Sequence, residues 1–220
     1  MTVRIACADG RDRERAVAAA LAAVRRGDLV LLPTEGAYAV VTDAFSARGT
    51  AAMRAAKGAD EDLPLPVLVG RRTTVAGVAI RIGDDAQRLM DAFWPGPLTV
   101  LLTPQPSLAW DHPDGAPVAL RMPLHPVALA VLAAAGPLAA SSANLPGLAV
   151  PLDVDDALVQ LGDAITVALD AGPAVHDTLP SSVVDATGAV PVLLREGALS
   201  LVDLRRVCPH AIPGPGVVDA

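Results

Sequence analysis

Short apolar runs that stop at proline or glycine alternate with alanine-rich stretches of helical periodicity along most of this chain. Leu29 to Leu32 ends at Pro33, Leu98 to Leu102 follows the turn Trp94-Pro95-Gly96-Pro97, and Leu138 to Ser141 follows Gly136-Pro137. Further strands are expected at Tyr38 to Thr42, Leu65 to Val69, Val118 to Arg121, Thr166 to Leu169, Ser182 to Asp185 and Val192 to Leu194. Helical spacing covers Arg13 to Arg26, Ala47 to Ala56, Asp84 to Phe93, Val127 to Ala135 and Val154 to Leu161. Strands alternating with helices indicate an α/β sheet protein. The connections are too irregular for a doubly wound fold and predict a mixed sheet. Neither G-x-G-x-x-G nor a Walker A motif occurs, so a nucleotide would be held by another device.

The chain has 220 residues, enough for one sizeable core, and we place one domain at 1–206 with a C-terminal tail at 207–220. Apolar residues make up 52% and aromatics 2%, so that core is built from Ala, Val and Leu. The longest apolar stretch, Val127 to Ala140, is interrupted by Gly136-Pro137 and is too short to span a bilayer. Charged residues Asp9, Arg11, Asp12, Arg13 and Glu14 precede the apolar run, which is not the order of a secretory signal. Cys7 and Cys208 fit no metal spacing and need no disulfide. A cytoplasmic protein without membrane contact is expected. A net charge of −7 disfavours a surface that grips nucleic acid throughout but leaves room for a small basic pocket.

Of 17 basic residues, all but Lys57 are arginine. A position that keeps lysine in such a background is a candidate for a compact ammonium that a planar guanidinium cannot replace. Other polar residues fall at predicted strand ends or in turns: Thr34 after Pro33, Thr99 after Pro-Gly-Pro, Arg121, Ser141-Ser142-Ala143-Asn144, Ser181-Ser182 and Arg195. Ligands of α/β sheets bind beyond strand ends. Hydroxyls, an amide, an ammonium and two guanidiniums, with no nucleophile triad, suit recognition of phosphate or carboxylate.

Pro33-Thr34-Glu35 with Tyr38, Lys57-Gly58, Trp94-Pro95-Gly96-Pro97-Leu98-Thr99 and Arg121-Met122-Pro123 with His125-Pro126 resemble the motifs of the YrdC (TsaC) family. Ser141-Ser142-Ala143-Asn144 with Gly147, Ser182-Val183-Val184-Asp185 and Leu194-Arg195-Glu196-Gly197 complete the series. The resemblance implies a YrdC-like twisted mixed sheet with flanking helices and a large concave cavity, in the family's short single-domain form. It further implies ATP-dependent synthesis of threonylcarbamoyl-AMP from L-threonine and bicarbonate, for the t6A modification of tRNA. By that resemblance Lys57 meets the phosphates, Thr99, Ser142, Asn144 and Arg195 hold ATP, and Thr34, Arg121 and Ser182 fix threonine. Lys57, Ser142 and Asn144 are then the catalytic set. Mg2+ rides on the triphosphate without protein side-chain ligands, and downstream t6A-transfer enzymes and tRNA are the implied partners.

Three positions depart from the family: Ala39-Val40 and Leu145-Pro146-Gly147 in a minor way, and the segment after Lys57 more seriously. The family's Lys-x-Arg reads Lys57-Gly58-Ala59 here, and Asp60, Glu61 and Asp62 follow. Loss of an arginine–phosphate contact costs about 1.5–3 kcal/mol, and Arg54, Arg71 and Arg72 are the candidate stand-ins. Two alternatives accompany the synthase expectation: a divergent paralogue with a different carbamoyl or adenylyl transfer, and a non-catalytic nucleotide- or RNA-binding protein.

Overall fold

The computed structural model describes residues 1–7, 10–58, 63–174 and 179–217. Twelve strands are β1 (Val3–Ala6), β2 (Leu29–Pro33), β3 (Tyr38–Asp43), β4 (Val67–Leu68), β5 (Ala79–Ile80), β6 (Leu98–Pro104), β7 (Val118–Arg121), β8 (Leu138–Ser142), β9 (Ile165–Asp170), β10 (Ser182–Asp185), β11 (Val192–Arg195) and β12 (Ile212–Pro213). The helices are α1 (Gly10–Arg25), α2 (Ala47–Lys57), α3 (Val75–Val78), α4 (Asp84–Phe93), α5 (Pro126–Ala135), α6 (Val154–Leu161) and α7 (Leu201–Val207).

The strands form one sheet in the order β1-β9-β2-β3-β8-β4-β7-β6-β10-β11-β12, with β5 added beside β6. Parallel pairs (β1 with β9, β2 with β9, β4 with β7, β6 with β10) mix with antiparallel ones (β2 with β3, β3 with β8, β6 with β7), as the irregular connections required. Because side chains alternate across a strand, β2 feeds two cores. Val30 and Leu32 pack with Ala16, Ala20 and Ala23 of α1 and Val131 of α5. Leu29 and Leu31 face the other way, into a core shared with Met53 of α2, Leu89 of α4 and Leu204 of α7. The sheet is therefore covered on both faces.

Two local features fix the position of α2. Ser46 caps its start by accepting from Gly49 N–H, and Gly58 ends it in the left-handed region at φ 57°. Gly49 rests on β3, where an added Cβ would stand 2.2 Å from Thr42 Oγ1. This seat delivers Lys57, the last helical residue, to the end of β8. Within residues 207–217, Cys208 and Ala211 are buried, and β12 pairs with β11. Both cysteines are free and buried. Among the described residues no helix is long and apolar enough to cross a membrane.

Candidate functional site

Lys57 is buried to 8% exposure, and its ammonium donates to the carbonyls of Ser142 (2.7 Å) and Asn144. Burial pulls its pKa below the ordinary lysine value. Among the described residues no carboxylate pairs with it, and its partners there are two carbonyl dipoles. Beside it, Asn144 donates through Nδ2 to the Leu145 and Leu148 carbonyls, which fixes its amide, and leaves Oδ1 buried without a partner. The Ser142 side chain is exposed at the same strand end.

A second group stands at the turn between β2 and β3. Thr34 is committed to that turn, its hydroxyl donating to Ala37 O (2.5 Å). Glu35 reaches over β8 and β4 to accept from Arg121 Nη2 (2.5 Å), and its other oxygen accepts from Leu124 N–H (3.1 Å). Arg121 Nε also donates to Gly96 O (3.3 Å). The guanidinium is partly exposed and anchored on one edge.

The third group lies across β6, β10 and β11. Thr99 and Ser181 hydroxyls are 2.9 Å apart, and Arg195 donates to Ser181 O through Nε (3.1 Å) and Nη2 (2.8 Å). Ser182 is fully buried, and its hydroxyl donates to Leu199 O while accepting from Gly197 and Leu199 N–H. In this arrangement it holds the 197–199 turn behind Arg195 and offers no free hydrogen-bonding group to a ligand. Gly197 is required there, because an added Cβ would lie 2.1 Å from Pro180 O.

The three groups are neighbours. Ser142 pairs with Ala39 beside the Thr34 turn, Glu35 bridges that turn to Arg121, and Arg121 pairs with Thr99 in the β6–β7 register. In sheet order, Thr34, then Ser142 with Asn144 and Lys57, then Arg121, Thr99 and Arg195 follow one another along an arc. A cavity of about 480 Å³ is lined by Arg195, Glu196, Ser200 and Val217, and a second, of about 280 Å³, by Asp85, Arg88 and His210; Lys57 and Asn144 line neither.

Sequence reasoning missed Glu35 as the partner of Arg121, although it stands inside the quoted motif. It also missed Asp111, 57 residues from its partner Arg54. Arg54 is buried and pairs with Asp111, while donating to Leu63 O, and Arg72 pairs with Asp91. Neither is a free substitute for the missing motif arginine. Ala59, Asp60, Glu61 and Asp62 lie outside the described residues. Burial acts to raise the Asp111 carboxyl, but hydrogen bonds from Thr50 and Arg54 outweigh it and hold the group below the usual carboxylate range. Its connection, residues 105–117, is further pinned by Trp110 stacking on Phe45 at 5.8 Å. Asp111→Ala should cost about 2 kcal/mol, low for a buried arginine because Asp111 is itself 38% exposed. Thermal unfolding should show Tm lower by roughly 4–8 °C. The lowered carboxyl implies that this contribution is present above about pH 4 and lost as pH falls through the folded-state value.

Comparison with known proteins converges on one family. The profile named Sua5_yciO_yrdC, described as telomere recombination, matches residues 22–197. A putative threonylcarbamoyl-AMP synthase of Mycobacterium tuberculosis H37Rv is 44% identical over 201 residues, covering 91% of this chain and 92% of its own. The threonylcarbamoyl-AMP synthase of Bacillus subtilis is 32% identical over 92% of this chain and 58% of its own. The structure of Pyrococcus abyssi Sua5 complexed with L-threonine superposes with a TM-score of 0.84 at 28% identity, over 98% of this chain and 63% of that one. With the profile matching residues 22–197 and a relative 44% identical over 91% of the chain, this protein belongs to the Sua5/YciO/YrdC family.

Proposed function

We propose that this protein condenses L-threonine, bicarbonate and ATP into threonylcarbamoyl-AMP, pyrophosphate and water, the water coming from dehydration of bicarbonate to carbon dioxide. The threonine amine captures carbon dioxide as a carbamate, one carbamate oxygen attacks the α-phosphorus, and pyrophosphate leaves with the P–O bonding pair. No enzyme nucleophile is required, so the protein's work is to orient two anions and stabilise developing charge. The observation that carries this reading is Lys57: a buried ammonium held by two carbonyls, with no described carboxylate partner, is a charge suited to an arriving phosphate. The unpaired Asn144 Oδ1 beside it suits a nucleotide hydroxyl or amino group. Arg121, partly exposed and oriented by Glu35 and Gly96, suits the threonine carboxylate. The names of the relatives and the threonine complex of the archaeal protein support the same substrates.

Magnesium would arrive on the triphosphate, since the carbonyls around Lys57 are already engaged by the ammonium. The product is a mixed anhydride, which a t6A-transfer enzyme would deliver to tRNA. The test is mass-spectrometric detection of threonylcarbamoyl-AMP on incubation with ATP, labelled bicarbonate and L-threonine. Product should form when all three are present and in no mixture lacking one of them. Folded protein that binds ATP but makes no product would favour the non-catalytic nucleotide-binding reading, for which the Ala59 replacement speaks.

That replacement has its own expected outcome. Ala59→Arg restores the family's Lys-x-Arg and should tighten ATP binding ~10-fold, the equivalent of one charge-assisted contact of about 1.4 kcal/mol. The gain should shrink as salt is raised, because exposed charges are screened over about 10 Å at ~0.1 M ionic strength. Calorimetric titration of both proteins with ATP at low and high salt checks it.

A further inference from the structure

Away from the arc, three side chains with metal-binding chemistry meet where α4, α7 and β12 come together. Asp85 stands in the first turn of α4, Cys208 caps the end of α7, and His210 follows in a turn closed by Ala211 N–H donating to Cys208 O (3.0 Å). His210 Nε2 lies 2.5 Å from Asp85 Oδ2 and 3.8 Å from Cys208 Sγ. One donor atom of each residue lies within 4.8 Å of the others. Spacing along the chain hides the group, because Asp85 is 125 residues from His210.

We propose that Asp85, Cys208 and His210 form a binding site for a thiophilic divalent transition-metal ion, zinc by its donor set, with a fourth position open to water. Tetrahedral zinc takes sulfur, nitrogen and oxygen at about 2.0–2.3 Å, which sets donor atoms roughly 3.5 Å apart. The nitrogen-to-sulfur separation is already near that value. The Asp85–His210 contact must open by about 1 Å, a side-chain rotation, as the ion replaces the hydrogen bond between them. Arg88 Nη1 holds Asp85 Oδ1 at 2.7 Å and leaves Oδ2 for the ion. A cavity of about 280 Å³ bordered by Asp84, Asp85, Arg88, Gly188 and His210 opens the site to solvent. A thiolate excludes magnesium as the preferred guest, so this site is separate in chemistry from the one that would receive Mg–ATP.

The ion takes a thiolate ligand, so it must displace the Cys208 proton. Binding therefore releases a proton and strengthens as pH rises. Occupation would tie α7 and β12 to α4, and β12 lies beside β11, the strand that ends in Arg195. In this structure the same atoms form the Asp85–His210 pair.

Cobalt(II) titration of the full-length protein tests this. One equivalent should produce a thiolate-to-cobalt charge-transfer band, abolished by equimolar zinc and unaffected by millimolar magnesium. Cys208→Ser should lose the band. His210→Ala, at a side chain 54% exposed and therefore safe for the fold, should lose stoichiometric binding while keeping the wild-type Tm in the absence of metal to within the effect of one surface pair. Absence of the band in folded wild type, persistence of it in Cys208→Ser, or unchanged cobalt affinity in His210→Ala would each overturn the proposal.

Discussion

Lys57→Ala is expected to lower threonylcarbamoyl-AMP formation by at least ~100-fold, the scale of losing one preorganised charge donor at a reacting phosphate. The ammonium is the buried cation of the arc that no described carboxylate neutralises, and α2 holds it there through the Gly49 seat and the Gly58 cap. Its removal also leaves the Ser142 and Asn144 carbonyls without their donor, so a stability loss of about 1–3 kcal/mol should accompany the loss of activity. Lys57→Arg should recover little, because a rigid fork cannot occupy the point between two converging carbonyls. Product formation at saturating ATP, with Tm measured on the same samples, separates the two effects. Wild-type turnover in folded Lys57→Ala would show that a different cation meets the phosphates.

Arg121→Gln should raise the KM for threonine by roughly 10–100-fold, the equivalent of one charge-assisted contact of about 1.5–3 kcal/mol, with a smaller change in the KM for ATP. Arg121 is oriented by Glu35 and the Gly96 carbonyl, so its position is set before any ligand arrives. The substitution also strands the Glu35 carboxylate with the Leu124 N–H as its remaining described donor. Arg121→Lys should be intermediate, since it restores charge without the bidentate geometry. Initial rates with threonine varied at fixed bicarbonate and ATP give the answer.

Elements that bury one consistent face were legible from residues alone. Asp84 to Phe93, Val154 to Leu161 and Ser182 to Asp185 were read with the bounds the structure has, and Leu29 to Leu32 fell one residue short. β1 was missed because Val3–Ala6 is a short edge strand carrying Arg4, with a buried residue at one position in four. β5 and β12 pair through two residues each, too few to carry a periodicity. α7 did leave a signal, the capping box of Ser200 with Asp203, which was passed over in a segment of seven residues. At the site, the motifs named polar residues at strand ends, but neither their order across the sheet nor the use of their hydrogen bonds was legible. That Ser182 is saturated by Gly197 and Leu199, that Arg54 is taken by Asp111, and that Lys57 has carbonyl rather than carboxylate partners all depend on contacts distant in sequence.

One arc should bind phosphate at Lys57 and the threonine carboxylate at Arg121. Calorimetric titration of wild type, Lys57→Ala and Arg121→Gln with Mg–ATP and, separately, with L-threonine tests it most directly. The account predicts that Lys57→Ala loses ATP affinity and keeps threonine affinity, while Arg121→Gln does the reverse. Folded Lys57→Ala that binds ATP as wild type does, or both variants losing both ligands alike, would contradict it.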